Sequence, residues 1–357
     1  MTSKTFQIVA VVLGYWTISI SMVFANKYLV GDRSSTQDLT LFVAWVQCIF
    51  TVLFVMMLQL GKKTLNEWQH IEWQPIWKLT NTTHWEIVKK ISPMTCTYVG
   101  MLTFNNLCLK HVGVAFFQVA RSMTLIFTVV LSILILKKKM SVKIFGCCMA
   151  VASGFVLGID QEKLAGTLSI SGVTYGVITS MFVAMNGIFT KRCLEVVDHN
   201  SVRLTLYNNI NASILFLPFV VGSGQLSAIF RSEKFTDIFF WCFLSASGVL
   251  SFAIAWISAK QIDITSPVSH HISANSKAVL QTLIAVVYYH EIKQPLWWFS
   301  IGLVVSGATG YAIVRIQEEK AAKLEQKTAP APDEETDLGD TEKLIANGKI
   351  SPVSVKS

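Results

Sequence analysis

Charged side chains are scarce in this sequence, and acidic ones are almost absent from its apolar segments. Asp, Glu, Lys and Arg make up 15% of the 357 residues, whereas hydrophobic residues make up 52%. A soluble domain usually carries about 25% charged residues. No HExxH motif, nucleophile elbow or pair of carboxylates occurs in the apolar segments, which disfavours an intramembrane hydrolase or a proton-coupled pump. The composition predicts a polytopic membrane protein that is not an enzyme.

The seven cysteines lack the spacing of a disulfide framework or a zinc site, because each lies in or beside an apolar segment. We therefore expect no cofactor and no metal. The net charge of +8 reflects basic residues at the ends of the apolar segments, so it predicts no nucleic-acid partner.

Apolar segments of about 20 residues, the length that spans a bilayer as a helix, recur along the chain. We place ten, near residues 6–30, 39–60, 92–111, 113–136, 142–159, 171–190, 202–221, 238–258, 266–289 and 296–314. The first segment is interpreted as an uncleaved signal anchor. With both termini in the cytosol, most of the 30 Lys and Arg residues lie on the cytosolic side, as the positive-inside rule requires.

The apolar segments are predicted to form two copies of one unit, at residues 6–160 and 161–315. Val-Ala-Ser-Gly at 151–154 recurs as Val-Val-Ser-Gly at 304–307. A unit of five helices crosses the membrane an odd number of times, so its two copies run in opposite senses. Such inverted repeats are typical of alternating-access transporters. Residues 1–5 are predicted to be a cytosolic N-terminus, and residues 316–357 a disordered cytosolic tail.

Lys277 lies near the middle of the ninth segment, where a charge costs roughly 3 kcal/mol even on a lenient insertion scale. Ser273 and Lys277 are spaced i and i+4, with Ser276 beside that line, so one stripe of a helix carries hydroxyls and a cation. The stripe would suit a phosphate or a sugar. The alternative is an interhelical hydrogen-bond seam whose lysine reaches the membrane interface.

Five further polar residues are candidates for the same binding site: Tyr15, Arg121, Tyr207, Asn208 and Asn209. Asn208 and Asn209, beside Tyr207, each offer a donor and an acceptor that match the edge of guanine, although interhelical amide bonding is an alternative. Tyr15 could bond a phosphate or stack on a base. Arg121 is a second cation, and together with Lys277 it would match the two charges of a nucleotide diphosphate. Tyr15 and Arg121 are equally compatible with roles as interface anchors.

Three strings, at residues 19–29, 100–116 and 203–209, resemble the nucleotide-sugar transporters of the drug/metabolite transporter superfamily, and most closely its GDP-fucose branch. GDP-sugar members carry a Phe-Tyr-Asn-Asn motif that recognises guanine, matched here by Leu-Tyr-Asn-Asn at 206–209. Their Gly-Ala-Leu-Asn-Lys motif, which contacts sugar and phosphate, is matched by Ser-Ala-Asn-Ser-Lys at 273–277. The changed sugar motif favours a sugar other than mannose.

The resemblance implies an all-α membrane protein of ten helices that carries GDP-fucose from the cytosol to the Golgi lumen and returns GMP. It implies membrane lipid as surroundings, leaves a homodimer open, and has the endoplasmic reticulum as the alternative compartment. Two functional alternatives stay open: transport of another GDP-sugar such as GDP-mannose, and a non-transporting scaffold or receptor on the same fold.

Overall fold

The computed structural model describes residues 3–31, 38–61, 82–137, 140–197, 201–264 and 267–328. Within these ranges every regular element is a helix. The helices are α1 (Ser3–Val30), α2 (Thr40–Gly61), α3 (Thr82–His111), α4 (Val114–Arg121), α5 (Thr124–Leu136), α6 (Val142–Leu164), α7 (Ile170–Val196), α8 (Ser201–Gly222), α9 (Gln225–Phe230), α10 (Ile238–Ile264), α11 (Pro267–Tyr288) and α12 (Pro295–Thr328), with a 3₁₀ turn at Glu233–Phe235.

Eight helical segments of the described ranges are long and apolar enough to cross a membrane. They are α1, α2, the α4–α5 pair, α6, α7, α8, α10 and α12. The predicted helical, multi-pass architecture is therefore confirmed. The other two of the ten predicted segments form helices, α3 and α11, but both are more polar: α3 carries Asn105 and Asn106, and α11 carries Asn275 and Lys277.

The segment predicted as one helix over residues 113–136 is broken between α4 and α5. The carbonyl groups freed by the break are satisfied locally, since the Ser122 hydroxyl donates to Val119 O at 2.7 Å and the Thr124 hydroxyl to Arg121 O at 2.7 Å. Ser180 on α7 also donates to Arg121 O, at 3.2 Å. Hydropathy cannot predict this break, because it depends on hydroxyl groups that replace lost helical hydrogen bonds.

The described residues up to 312 form one compact unit, in which two large buried apolar clusters hold the helices together. The first joins α1, α2, α8 and α10 through residues such as Leu29, Phe42, Phe216 and Leu244. The second joins α3, α4, α6, α11 and α12 through residues such as Leu109, Phe117, Phe155, Ala285 and Trp297.

The last helix runs to Thr328 and so extends into the predicted tail. Residues 313–328 are the described part of a separate compact segment, which is not one of the two predicted repeats. Within it Arg315 pairs with Glu318 at 3.3 Å. Residues 316–328 are mostly Glu, Lys, Gln, Ala and Leu, whose high helix propensity favours continuation of the helix. Residues 329–357 lie outside the described ranges.

Candidate functional site

The polar stripe of α11 faces α1. Lys277 Nζ donates a hydrogen bond to Ser19 Oγ at 2.9 Å and lies 5.9 Å from the centre of the Tyr15 ring. Trp16 Nε1 donates to Ser273 Oγ at 2.8 Å. Tyr15, Ser19 and Ser273 are all buried. The structure therefore brings together three of the predicted site residues, Tyr15, Ser273 and Lys277, and adds Trp16, which the sequence analysis did not select.

Arg121, at the end of α4, is a second cation in the same region. Its guanidinium group lies 5.5 Å from the Phe117 ring, and α4 packs against both α1 and α11, the helices that carry Tyr15 and Lys277. Neither cation forms an ion pair with a carboxylate of the described ranges. Two uncompensated positive charges inside a membrane protein are unfavourable, so an anion bound between them would be stabilised.

Ser276 differs from the other predicted residues of the stripe, because it is exposed in this conformation. It precedes Lys277 by one residue and therefore points about 100° away around the helix. The structure places it beside the buried group of Tyr15, Ser273 and Lys277, not within it.

Asn208 and Asn209 lie on α8 and are engaged by α3. The Thr95 hydroxyl donates to Asn208 Oδ1 at 3.0 Å, and the Tyr98 hydroxyl donates to Asn209 Oδ1 at 3.4 Å. Asn209 Nδ2 donates to the carbonyl of Thr205 on its own helix, at 2.8 Å. Both asparagines are only 3% exposed. In this conformation they form the interhelical amide bonds that the sequence offered as the alternative to a base-binding role.

Tyr207 lies next to these asparagines and is also buried. It belongs to an apolar cluster with Ile91 and Met94 of α3, and the Arg203 guanidinium lies 5.8 Å from its ring. The predicted site residues on α8 are thus held against α3, whereas those on α11 are held against α1.

A buried ionic cluster that the sequence analysis missed lies at the ends of α6 and α12. Lys293 Nζ lies 2.5 Å from Glu162 Oε1 and 3.0 Å from Glu291 Oε2, and Trp297 Nε1 donates to Glu162 at 3.0 Å. The Thr167 hydroxyl also donates to Glu162. The side chains of Lys293 and Glu162 are 7% and 5% exposed. Its members come from separate loops and helix ends, so no local sequence pattern connects them.

A second polar cluster links α1, α2 and α3 at the end that the predicted topology assigns to the lumen. Lys27 Nζ donates to the carbonyl of Leu109 at 2.9 Å, and Lys110 pairs with Asp38 at 3.4 Å. Burial raises the pKa of Asp38, but the hydrogen bonds from the Thr40 hydroxyl and N–H, together with Lys110, outweigh this and leave its pKa below 3.8. The cluster therefore favours the ionised carboxylate.

Comparison with known proteins gives consistent results. The chain matches the Triose-phosphate Transporter family over residues 6–312. It is 40% identical over 322 residues to "GDP-fucose transporter 1" of Nematostella vectensis, covering 90% of this chain and 93% of the relative. It is 40% identical over 334 residues to the mouse protein of the same name (91% and 90% coverage). It is 35% identical over 330 residues to "GDP-fucose transporter, Golgi" of Drosophila melanogaster (92% and 96% coverage).

A solved crystal structure aligns with 88% of this chain and 99% of its own, with a TM-score of 0.52 and 14% sequence identity. At this identity the similarity concerns the fold alone. The family match covers most of the described membrane region and agrees with the resemblance to the drug/metabolite transporter superfamily. The chain belongs to the Triose-phosphate Transporter family.

Proposed function

We propose that this protein carries GDP-fucose from the cytosol into the Golgi lumen in exchange for GMP, by alternating access. Relatives at 35–40% identity bear the name GDP-fucose transporter, and the Drosophila melanogaster relative is a Golgi protein by name. The single observation that carries the proposal is Lys277, which lies beside Tyr15 without a carboxylate partner in the described ranges. Arg121 is a second cation without such a partner, on a helix, α4, that packs against both α11 and α1.

In this proposal the two cations bind the diphosphate. A nucleotide diphosphate sugar carries about two negative charges on its diphosphate, so binding would neutralise both cations and remove their mutual repulsion. Ser19 now accepts the hydrogen bond that Lys277 would redirect to a phosphate oxygen. Tyr15 would lie against the bound nucleotide, and Ser273 and Ser276 would hydrogen-bond the sugar.

Asn208 and Asn209 are proposed to recognise guanine, with Tyr207 supporting them. Because their carboxamides are engaged by Thr95 and Tyr98, guanine binding must replace these two contacts. Asn208→Ala and Asn209→Ala should then weaken GDP-fucose and GMP alike, by about 1 to 3 kcal/mol. The measurement is competition of GMP with labelled GDP-fucose. Thr95→Val is the matched control, since it removes the interhelical hydrogen bond but keeps the carboxamide of Asn208. Inhibition constants for GMP that are unchanged in both asparagine variants would contradict base recognition.

Alternating access is proposed to occur between two inverted units, residues 6–160 and 161–315, of five spans each. The contact between α6 and α12 supports this arrangement. A Cβ built on Gly154 would lie 2.8 Å from Val304 Cγ2, and one built on Gly307 would lie 2.8 Å from Val151 Cγ2. These glycines and valines occupy equivalent positions in the repeated Val-x-Ser-Gly sequence. Because Gly154 meets Val304 and Gly307 meets Val151, the two helices run antiparallel where they touch. A two-fold relation requires such reciprocal contacts.

Several other helix contacts fit the same two-fold relation. In equivalent units α1 corresponds to α7, α2 to α8, α3 to α10 and α4 to α11. The contact between α3 and α7 then corresponds to that between α10 and α1, and the contact between α3 and α8 to that between α10 and α2. The contacts α2–α8 and α4–α11 map onto themselves. This pattern requires α3 and α11 to count as spans despite their polarity. It supports ten spans, and the positive-inside rule then favours both termini in the cytosol.

The test is uptake of labelled GDP-fucose by proteoliposomes that contain the purified protein and are preloaded with GMP. We expect uptake that depends on internal GMP, with GDP-mannose and UDP-galactose as competitors of decreasing strength. Equal competition by GDP-mannose would favour a broader GDP-sugar carrier. Absence of any nucleotide-sugar uptake by folded protein would favour a scaffold or receptor.

A further inference from the structure

Gln281 is a buried polar residue on α11 that the proposed binding site does not include. It is fully inaccessible to solvent, and neither Oε1 nor Nε2 of its carboxamide has a hydrogen-bond partner. Buried carboxamides are normally paired, since an unpaired one loses its hydration without compensation. Gln281 therefore lacks a partner that another state of the protein or a ligand must supply.

The position of Gln281 connects it with the candidate site. It follows Lys277 by four residues and Ser273 by eight, so the three side chains lie along one face of α11 at intervals of one helical turn. One more turn along the same face, Ala285 packs into the apolar cluster with Val23 and Phe24 of α1. In the predicted topology Gln281 thus lies one turn beyond Lys277 on the luminal side, between Lys277 and the apolar cluster that contains Ala285.

The two unpaired atoms of Gln281 define what it can bind. Nε2 donates and Oε1 accepts, so a complementary group must both accept and donate. A phosphate oxygen only accepts, and would leave Oε1 unpaired. A sugar hydroxyl does both, and neighbouring hydroxyls of a hexose can pair with both atoms at once. A hexose joined to a diphosphate at Lys277 lies within about one helical turn of it, so it can reach Ser273 on the cytosolic side in one state of the carrier and Gln281 on the luminal side in another.

We propose that Gln281 is a specificity-determining residue that hydrogen-bonds hexose hydroxyls of the GDP-sugar as the loaded carrier opens toward the lumen. This inference rests on the proposed exchange of a GDP-sugar for GMP. GMP has no hexose, so its own passage does not need Gln281. The carboxamide thereby stabilises reorientation of the sugar-loaded carrier and contributes little to that of the GMP-loaded carrier.

The experiment compares GDP-fucose/GMP exchange with GMP/GMP exchange in proteoliposomes for the parent protein and Gln281→Leu. We expect Gln281→Leu to lower the GDP-fucose rate about tenfold, as loss of paired hydrogen bonds implies, while GMP/GMP exchange stays within about twofold of the parent. Thr282→Val is the matched control, because Thr282 is the buried polar neighbour of Gln281 on α11, but its hydroxyl donates to the carbonyl of Ala278 on its own helix at 2.9 Å. It should change neither rate.

Two results would overturn the proposal: an unchanged GDP-fucose rate in Gln281→Leu, or an equal fall of both rates. The latter would make Gln281 a structural residue. If Gln281→Leu has no melting transition in detergent, Gln281→Met replaces it, since it keeps the length of the side chain while removing both polar atoms, and the same two results apply. A parent protein that exchanges GMP but not GDP-fucose would instead refute the proposed function.

Discussion

The ionic cluster at the ends of α6 and α12 should respond unequally to loss of its acid and of its base. Lys293 is shared by two carboxylates, those of Glu162 and Glu291, whereas Glu162 also accepts hydrogen bonds from Trp297 and Thr167. Lys293→Met leaves two neighbouring carboxylates without a cation, one of them almost fully buried. Glu162→Gln leaves Lys293 paired with Glu291 and keeps an oxygen that Trp297 can use.

The magnitudes follow from this difference. Removing one partner of a buried ion pair costs about 3 to 5 kcal/mol, which we expect for Lys293→Met. Replacing a charged hydrogen-bond acceptor by a neutral one costs about 1 to 3 kcal/mol, which we expect for Glu162→Gln. At about 2 °C per kcal/mol for a chain of this size, the melting temperature should fall by roughly 6 to 10 °C in the first variant and 2 to 6 °C in the second.

The assay is thermal melting of the purified protein in detergent, followed by tryptophan fluorescence. The double variant Glu162→Gln with Lys293→Met serves as the control for coupling, and its loss should be smaller than the sum of the single losses, since no charge is left buried without a partner by Glu162 or Lys293. A larger decrease for Glu162→Gln than for Lys293→Met would refute this account of the cluster.

Three further outcomes are expected. Lys277→Ala should abolish exchange and leave the melting temperature equal or higher, because it removes a buried charge. Lys277→Arg should retain only part of the exchange activity. Normal exchange by Lys277→Ala would exclude phosphate binding by Lys277. Gly154→Ala should lower the melting temperature, because its Cβ would lie 2.8 Å from a backbone oxygen, whereas Gly146→Ala, which meets nothing within 4 Å, should not; equal melting of the two would contradict the close contact. The pKa of Asp38 is lowered in the folded protein, so the ionised carboxylate stabilises the fold at pH values above its ordinary pKa of 3.8. This stabilisation is lost as the pH falls through the folded-state pKa. The melting temperature of Asp38→Asn should therefore depend less on pH in this range than that of the parent.

Hydropathy predicted most of the fold because it reports the length of apolar segments, and lipid contact requires such segments. It was least informative for α3 and α11, where polar side chains lower the hydropathy. In α11 these polar side chains include the candidate binding residues Ser273 and Lys277. The same chemistry that indicates a solute pathway therefore weakens the signal for a membrane span.

The partners of the site residues could not be predicted from the sequence. The stripe of Ser273 and Lys277 follows from helical spacing, but the choice of α1 as its neighbour, and of Trp16 and Ser19 as its hydrogen-bond partners, depends on packing between helices more than 250 residues apart. Likewise, adjacent asparagines at 208 and 209 indicate a polar group without indicating that Thr95 and Tyr98 hold it.

The reciprocal contact of α6 and α12 limits which substitutions these two helices can accept. A side chain at Gly154 would meet both the valine side chain at 304 and the backbone oxygen of Ser300, and one at Gly307 would meet both Val151 and the backbone oxygen of Cys147. A smaller residue can replace either valine, but no substitution removes a backbone oxygen. The valines are thus free to change, whereas both glycines are fixed by a main chain that every sequence shares.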